Sequence, residues 1–248
     1  MYRELDPSKI IDTAARLRDR IRERFPQANL GNVADELLAL ARAHAERSAA
    51  MKRPHWPLRM TSWLLLLCGI GCIALLLVMA WPEITAGRWD LQDKVQSIES
   101  GTQMLFFLGA GAVFMLSLEL RVKRRRCLEA VHELRAMAHI VDMHQLTKDP
   151  DRVLHAGPST PASPVRTMTA FELTRYLDYC TEMLSLMGKV AALYGQNFPD
   201  QQAMEAVDEV EDLTTSLARK IWQKIMILEQ AVAPGTPPAG GTAPATTA

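Results

Sequence analysis

The chain has 248 residues, 28 Lys/Arg against 28 Asp/Glu, 48% hydrophobic residues and four cysteines. Cys68, Cys72, Cys127 and Cys180 contain no CxxC pair, which argues against a disulfide framework and against a thiol metal or redox site. The overall neutrality conceals an uneven distribution, and that distribution gives the first clue to organisation.

Residues 1–57 read as an N-terminal helical hairpin. Asp6 is a cap and Pro7 a first-turn residue for a helix over 7–25, with Ile10, Ile11, Ala14, Leu17 and Ile21 on its apolar stripe. Arg16, Arg18, Arg20, Arg22 and Arg24 cover the remainder. Asp12, Asp19 and Glu23 interrupt them and no aromatic platform accompanies them, so they do not read as a nucleic-acid surface. Pro26 stops this helix. Asn32 or Asn29 caps the next, over about 32–50, with Val33, Leu37, Leu40 and Ala41 on one face.

Two uncharged apolar runs follow, Met60–Trp81 and Thr102–Leu118. Each is close to the ~20 residues that cross a bilayer core. The first starts too far from residue 1 for a signal peptide, and Trp56, Trp63 and Trp81 fall where aromatic rings settle at an interface. Residues 58–81 and 102–120 are therefore expected to be two transmembrane helices. Lys52, Arg53 and Arg59 precede them, and Arg121, Lys123, Arg124, Arg125 and Arg126 follow. The segment between, 82–101, carries Glu83, Asp90, Asp93 and Glu99 against Arg88 and Lys94. Positive flanks stay cytoplasmic, so both termini are expected in the cytoplasm, with 82–101 a short extracytoplasmic loop. Within it, Leu91, Val95 and Ile98 form a stripe suited to a short interfacial helix ending at Gly101. Small residues occupy the centres of both runs. They predict a crossing at Gly69 or Cys72 against Gly109 or Ala112, since small side chains let helices approach closely in lipid.

The second span is expected to continue as a cytoplasmic helix over 121–149. Cys127, Val131, Leu134, Ala138, Val141 and Gln145 repeat at heptad-like spacing. A helix from Thr102 to Leu146 would be about 67 Å long. Asp149-Pro150 ends it, and a Pro/Ser/Gly-rich linker occupies 150–168. Residues 169–232 form an antiparallel helical hairpin. Thr169 and Glu172 make a capping box. Leu173, Leu177, Cys180, Leu184, Met187, Ala191 and Tyr194 form one seam, with Tyr176, Met183 and Val190 beside it. After a turn at 197–200, Val210, Leu213, Leu217, Ile221, Ile225, Leu228 and Val232 point inward. The tail 233–248 is low-complexity and expected to be disordered. The fold class is thus all-α: a transmembrane hairpin with a cytoplasmic helical bundle in which the second span continues as a long helix.

Charge follows the same division. Residues 1–59 hold 12 Lys/Arg and 8 Asp/Glu, and residues 121–166 hold 9 and 5, whereas residues 167–233 hold 5 and 10. The basic parts flank the membrane, where anionic headgroups attract them, and they invite contact with the acidic part.

The best arrangement for chemistry is His132, His139 and Asp142. His132 and His139 share a helix face, and Asp142 lies within reach of His139 at i+3. A His–Asp hydrogen bond at a helix contact is the simpler reading, because a metal would need ligands from another helix or subunit. No catalytic residue and no cofactor is expected. Glu119 can pair with Lys123 at i+4. The segments RIRERFP, DMHQLTKDP, YLDYCTEMLSL and LARKIWQKI resemble a family of bacterial two-span inner-membrane proteins with no known activity. The resemblance covers most of residues 10–230. It implies the inner membrane and no reaction. The layout is also similar to two-span effectors of bacterial conflict systems. The leading expectation is a non-enzymatic homo-oligomeric scaffold or sensor with the anionic bilayer, and a cytoplasmic protein, as partners. A channel-like or membrane-permeabilising effector is the alternative, and a metal-dependent enzyme a third.

Overall fold

A computed structural model describes residues 4–54, 56–85, 91–150, 161 and 168–232. Among them are six helices and no strand: α1 Pro7–Arg24, α2 Leu30–Lys52, α3 Trp56–Thr85, α4 Leu91–Leu146, α5 Ala170–Asn197 and α6 Gln201–Val232. Most of the expected linker 150–168, and the tail 233–248, lie outside the described residues. The chain divides into two compact units, Met1–Arg47 with Ala130–Ala248, and Ser48–Glu129.

The first unit is a helical bundle in an aqueous style, with an apolar seam on each helix and charges outside. Asp6 accepts from the Ser8 N–H at 2.9 Å and starts α1, whose Ile10, Ala14, Leu17 and Ile21 are buried. Asn29 precedes α2, and its carbonyl accepts from the Asn32 and Val33 N–H groups. On α2 the buried face is Val33, Ala34, Leu37, Leu38, Ala41, His44 and Ala45; Leu40 is only half-buried. In α4 the residues Val131, Leu134, Ala138, Val141 and Gln145 are all at most 2% exposed. The capping box of Thr169 and Glu172 forms, and all ten expected seam residues of α5 are buried. Each such Leu, Val or Met contributes roughly 1.5–3 kcal/mol by leaving water.

On α6 the buried register is Ala203, Val207, Val210, Thr214, Leu217, Ile221, Ile225 and Leu228. Leu213 is half-buried, with Thr214 taking the inward position. Gly188 and Gly195, seven residues apart on α5, let α6 come close. A Cβ at 188 would stand 3.3 Å from Thr214 Oγ1, and one at 195 would stand 2.9 Å from Met204 Sδ.

The N-terminal hairpin, expected as a separate segment over 1–57, belongs to this same unit up to Arg47. Phe25 packs edge-on against Tyr176 and Tyr179 of α5, and Arg20 pairs with Glu182. The Leu5 N–H donates to Gln196 Oε1 at 2.8 Å. These contacts hold the hairpin to α5 directly.

The second unit is built differently. Trp56, Trp63, Leu64, Leu67 and Val78 of α3, and Leu105, Phe106 and Val113 of α4, are each exposed by half or more. Among the described residues, one helical stretch, Glu99–Leu146, is long and apolar enough to cross a bilayer. Within α3, the described residues contain the apolar stretch Trp63–Leu75. The expected loop 82–101 is mostly helix. α3 runs through Pro82 to Thr85, where the Thr85 hydroxyl donates to the Trp81 and Pro82 carbonyls. α4 already starts at Leu91 and passes through Gly101. A single interior glycine costs a helix only about 1 kcal/mol, too little to end it there.

Candidate functional site

His44, the one fully buried histidine among the described residues, organises the bundle's polar centre. It occupies the seam Leu37–Ala41–His44 of α2. Its Nδ1 lies 2.8 Å from the Tyr194 hydroxyl on α5, and the two rings meet edge to face at 5.7 Å. Its Nε2 lies 3.3 Å from Glu133 Oε2 on α4. That approach is not aligned as a hydrogen bond, so Nε2 is the one buried side-chain polar atom among the described residues without such a partner. Arg47, one turn along α2, grips the same carboxylate at 2.8 and 3.0 Å.

Burial pushes the His44 pKa down to about 4, with Glu133 pulling upward and Arg47 pushing further down. A neutral imidazole with Tyr194 as donor to Nδ1 satisfies this geometry best. The group is a clamp between α2, α4 and α5. It offers no activated nucleophile.

A second polar group closes the end of α4. The Lys224 ammonium of α6 donates to Gln145 Oε1 at 2.6 Å and to the carbonyls of Gln145 and Lys148. A cation among the last carbonyls of a helix satisfies them and opposes the helix dipole. Burial lowers the Lys224 pKa while Asp149 and Asp142 pull it up. Cys180 is 0% exposed, and burial pushes its thiol up to about 12, leaving it protonated and unreactive.

The histidines singled out from sequence fare differently. His132 and His139 are exposed. Asp142 accepts from Gln145 Nε2 at 2.6 Å, so the expected His139–Asp142 bond is replaced. Gln145 is also three residues from Asp142, and Lys224 holds its amide inward. Among the described residues no group of three or more His, Cys, Asp or Glu could hold a metal ion.

The span-crossing residues are also redistributed. A Cβ at Gly69 would collide with Leu108 Cδ1, so α4 does approach α3 there. Gly109 has nothing within 4 Å and Cys72 is exposed, while Ala112 is half-buried. The contact belongs to Leu108, one residue and about 100° away from Gly109 around the helix.

The basic cluster is largely paired. Lys123 bonds Glu119 at 3.0 Å as expected, and Arg125 bonds Glu129 at 2.9 Å. Arg121 lies over the Phe114 ring at 5.8 Å. Lys52 and Arg53 are exposed, and the side chain of Arg59 lies outside the described ones. Four of the five α1 arginines engage partners within the protein: Arg18 and Arg22 reach Asp35, Arg20 reaches Glu182, and Arg24 covers Phe171. The basic and acidic parts meet in Arg20–Glu182 and, from α4 to α6, in Arg135–Glu209.

Sequence reasoning missed His44, Glu133 and Tyr194 as a unit. Position 44 sits three residues after Ala41 on the apolar stripe, and a polar residue on a seam was the available signal. Comparison with family models, curated proteins and solved structures gives no match.

Proposed function

We propose that the chain is a non-enzymatic integral membrane protein of a bacterial inner membrane whose helical bundle acts as a scaffold or sensor and assembles with copies of itself. One observation carries this reading. In a single helix, α4, the residues Leu105, Phe106 and Val113 are about two-thirds exposed, whereas Leu134, Ala138 and Val141 are fully buried. The first stretch suits lipid and the second a water-soluble bundle. α3 and the first half of α4 then form the two-span hairpin, both termini lie in the cytoplasm, and the basic residues Lys52, Arg53, Arg121, Lys123, Arg124, Arg125 and Arg126 face anionic headgroups.

The bundle's polar residues are engaged in clamps and ion pairs, which favours holding and transmitting over catalysis. Alkaline carbonate washing of membranes tests the anchor: the chain should stay in the pellet, and release into the supernatant would sink the reading. Chemical crosslinking in detergent tests the assembly. A ladder of multiples of the 27.6 kDa chain is expected, and monomer alone would refute it.

A further inference from the structure

We infer that the exposed face of α4 between Leu105 and Arg121 is a binding site for one anionic phospholipid, its acyl chain in an apolar trough and its phosphate on Arg121. The inference rests on the membrane reading above. The trough is a shallow, open concavity of about 550 Å³ on one side of α4, lined by Leu105, Phe106, Gly109, Ala110, Val113 and Phe114, with Ser117 and Arg121 at one end.

The floor is low because Gly109 carries no side chain and has nothing within 4 Å, while Phe106 and Phe114 rise on either side along the helix. Ser117 does not oppose a phosphate, since its hydroxyl is spent on the Phe114 carbonyl at 2.8 Å.

Charge selects the occupant. Of the neighbouring cations, Lys123 is matched by Glu119 and Arg125 by Glu129. Among the described residues Arg121 makes no ion pair, and its guanidinium rests against the Phe114 ring instead. A cation held over an aromatic face at the mouth of an apolar trough is complementary to a ligand with a negative head and a hydrocarbon body. A bilayer lipid supplies both at this depth. A second copy of α4 would bring its own Arg121 to the same depth in a parallel pairing, and like charges repel.

The test uses the full chain extracted in mild detergent from membranes containing phosphatidylglycerol and phosphatidylethanolamine. Native mass spectrometry reads the lipid retained. One phosphatidylglycerol per chain is expected, enriched over its share of the membrane. Arg121→Gln should lower that retention roughly fivefold, the factor that one cation's attraction to an anionic surface provides. Gly109→Phe, at a position where an added Cβ meets nothing within 4 Å, puts a ring into the trough and should abolish it. Arg125→Gln should leave it unchanged. Equal retention by Arg121→Gln and the parent chain would overturn the site while leaving the membrane reading intact. So would a Gly109→Phe chain that keeps its lipid but loses its dimer, which would give the face to a second copy. A chain that carbonate strips from the membrane would overturn the parent reading and the site together.

Discussion

The two halves of α4 belong to one helix and treat their apolar side chains in opposite ways. Phe106 and Val113 are 71% and 68% exposed, and Leu134 is 0% exposed. In the bundle, the apolar seams of the helices are hidden and ion pairs such as Arg135–Glu209 lie outside. In the second unit many large apolar side chains are outside, and Gly69 of α3 lies against Leu108 of α4. Burial of apolar surface stabilises where water is the alternative and contributes little where lipid is. On the membrane reading proposed above, one sequence carries two packing rules, and substitutions should expose the difference.

The largest effect is expected from truncating the buried half. Leu134→Ala should cost about 3 kcal/mol of bundle stability, because it removes buried methyl groups and leaves a cavity. Phe106→Ala in the exposed half should change it by less than about 0.5 kcal/mol. Urea unfolding in detergent, followed through the shift in midpoint at constant slope, measures both. Equal losses would erase the distinction between the halves.

Acid comes next. Burial holds the folded His44 near 4, below its ordinary 6.5. The unfolded chain therefore takes up a proton as pH falls through 6.5, while the folded chain resists until about 4. Stability from this group is complete above 6.5, is lost as pH falls between those values, and falls no further below them. The loss from pH 7 to pH 5 is about 2 kcal/mol. Thermal melts across this range should show the fall in the parent chain and a flatter profile in His44→Gln. Parallel profiles would place the acid sensitivity elsewhere.

Within the second unit, Gly69 and Gly109 make a paired test. Gly69→Leu must displace Leu108 and should weaken the contact of α3 with α4 by about 1–3 kcal/mol, as overpacking does. Gly109→Leu enters open space and should leave that contact unchanged. Disulfide trapping between cysteines placed on α3 and α4 reads the contact, and the reverse order would restore Gly109 as the crossing point. The smallest effect is expected at the bundle surface, where Arg135→Ala breaks a half-exposed pair with Glu209. Such pairs contribute roughly 0.2–1 kcal/mol, and high salt should remove the difference.

What was legible in the sequence was what a period encodes. The α4 and α5 seams, the Thr169–Glu172 box and the Asp6 cap all follow from local spacing, and each appears in the structure. What escaped was pairing over distance. The His44–Tyr194 bond joins residues 150 apart, and Arg20–Glu182 joins residues 162 apart. No repeat in either helix announces its partner, so the N-terminal hairpin read as separate from the helices that hold it. Competition between equally spaced partners also escaped. Asp142 had His139 three residues before it and Gln145 three after, and only Lys224, distant in sequence, decided between them. At the crossing, a difference of one residue moved the contact from Gly109 to Leu108, because neighbours on a helix point about 100° apart.

The division of α4 is tested most directly by nitroxide labels in lipid vesicles. Cys68 and Cys72 are exposed and would be changed to serine, while Cys127 and Cys180 are buried and can remain. One label replaces Val113 and another replaces Ala136, both exposed on α4. We expect the label at 113 to collide mainly with oxygen, which concentrates in the bilayer, and the label at 136 mainly with a water-soluble nickel chelate. If nickel reaches both positions equally, α4 does not enter the membrane and the account of its two halves is wrong.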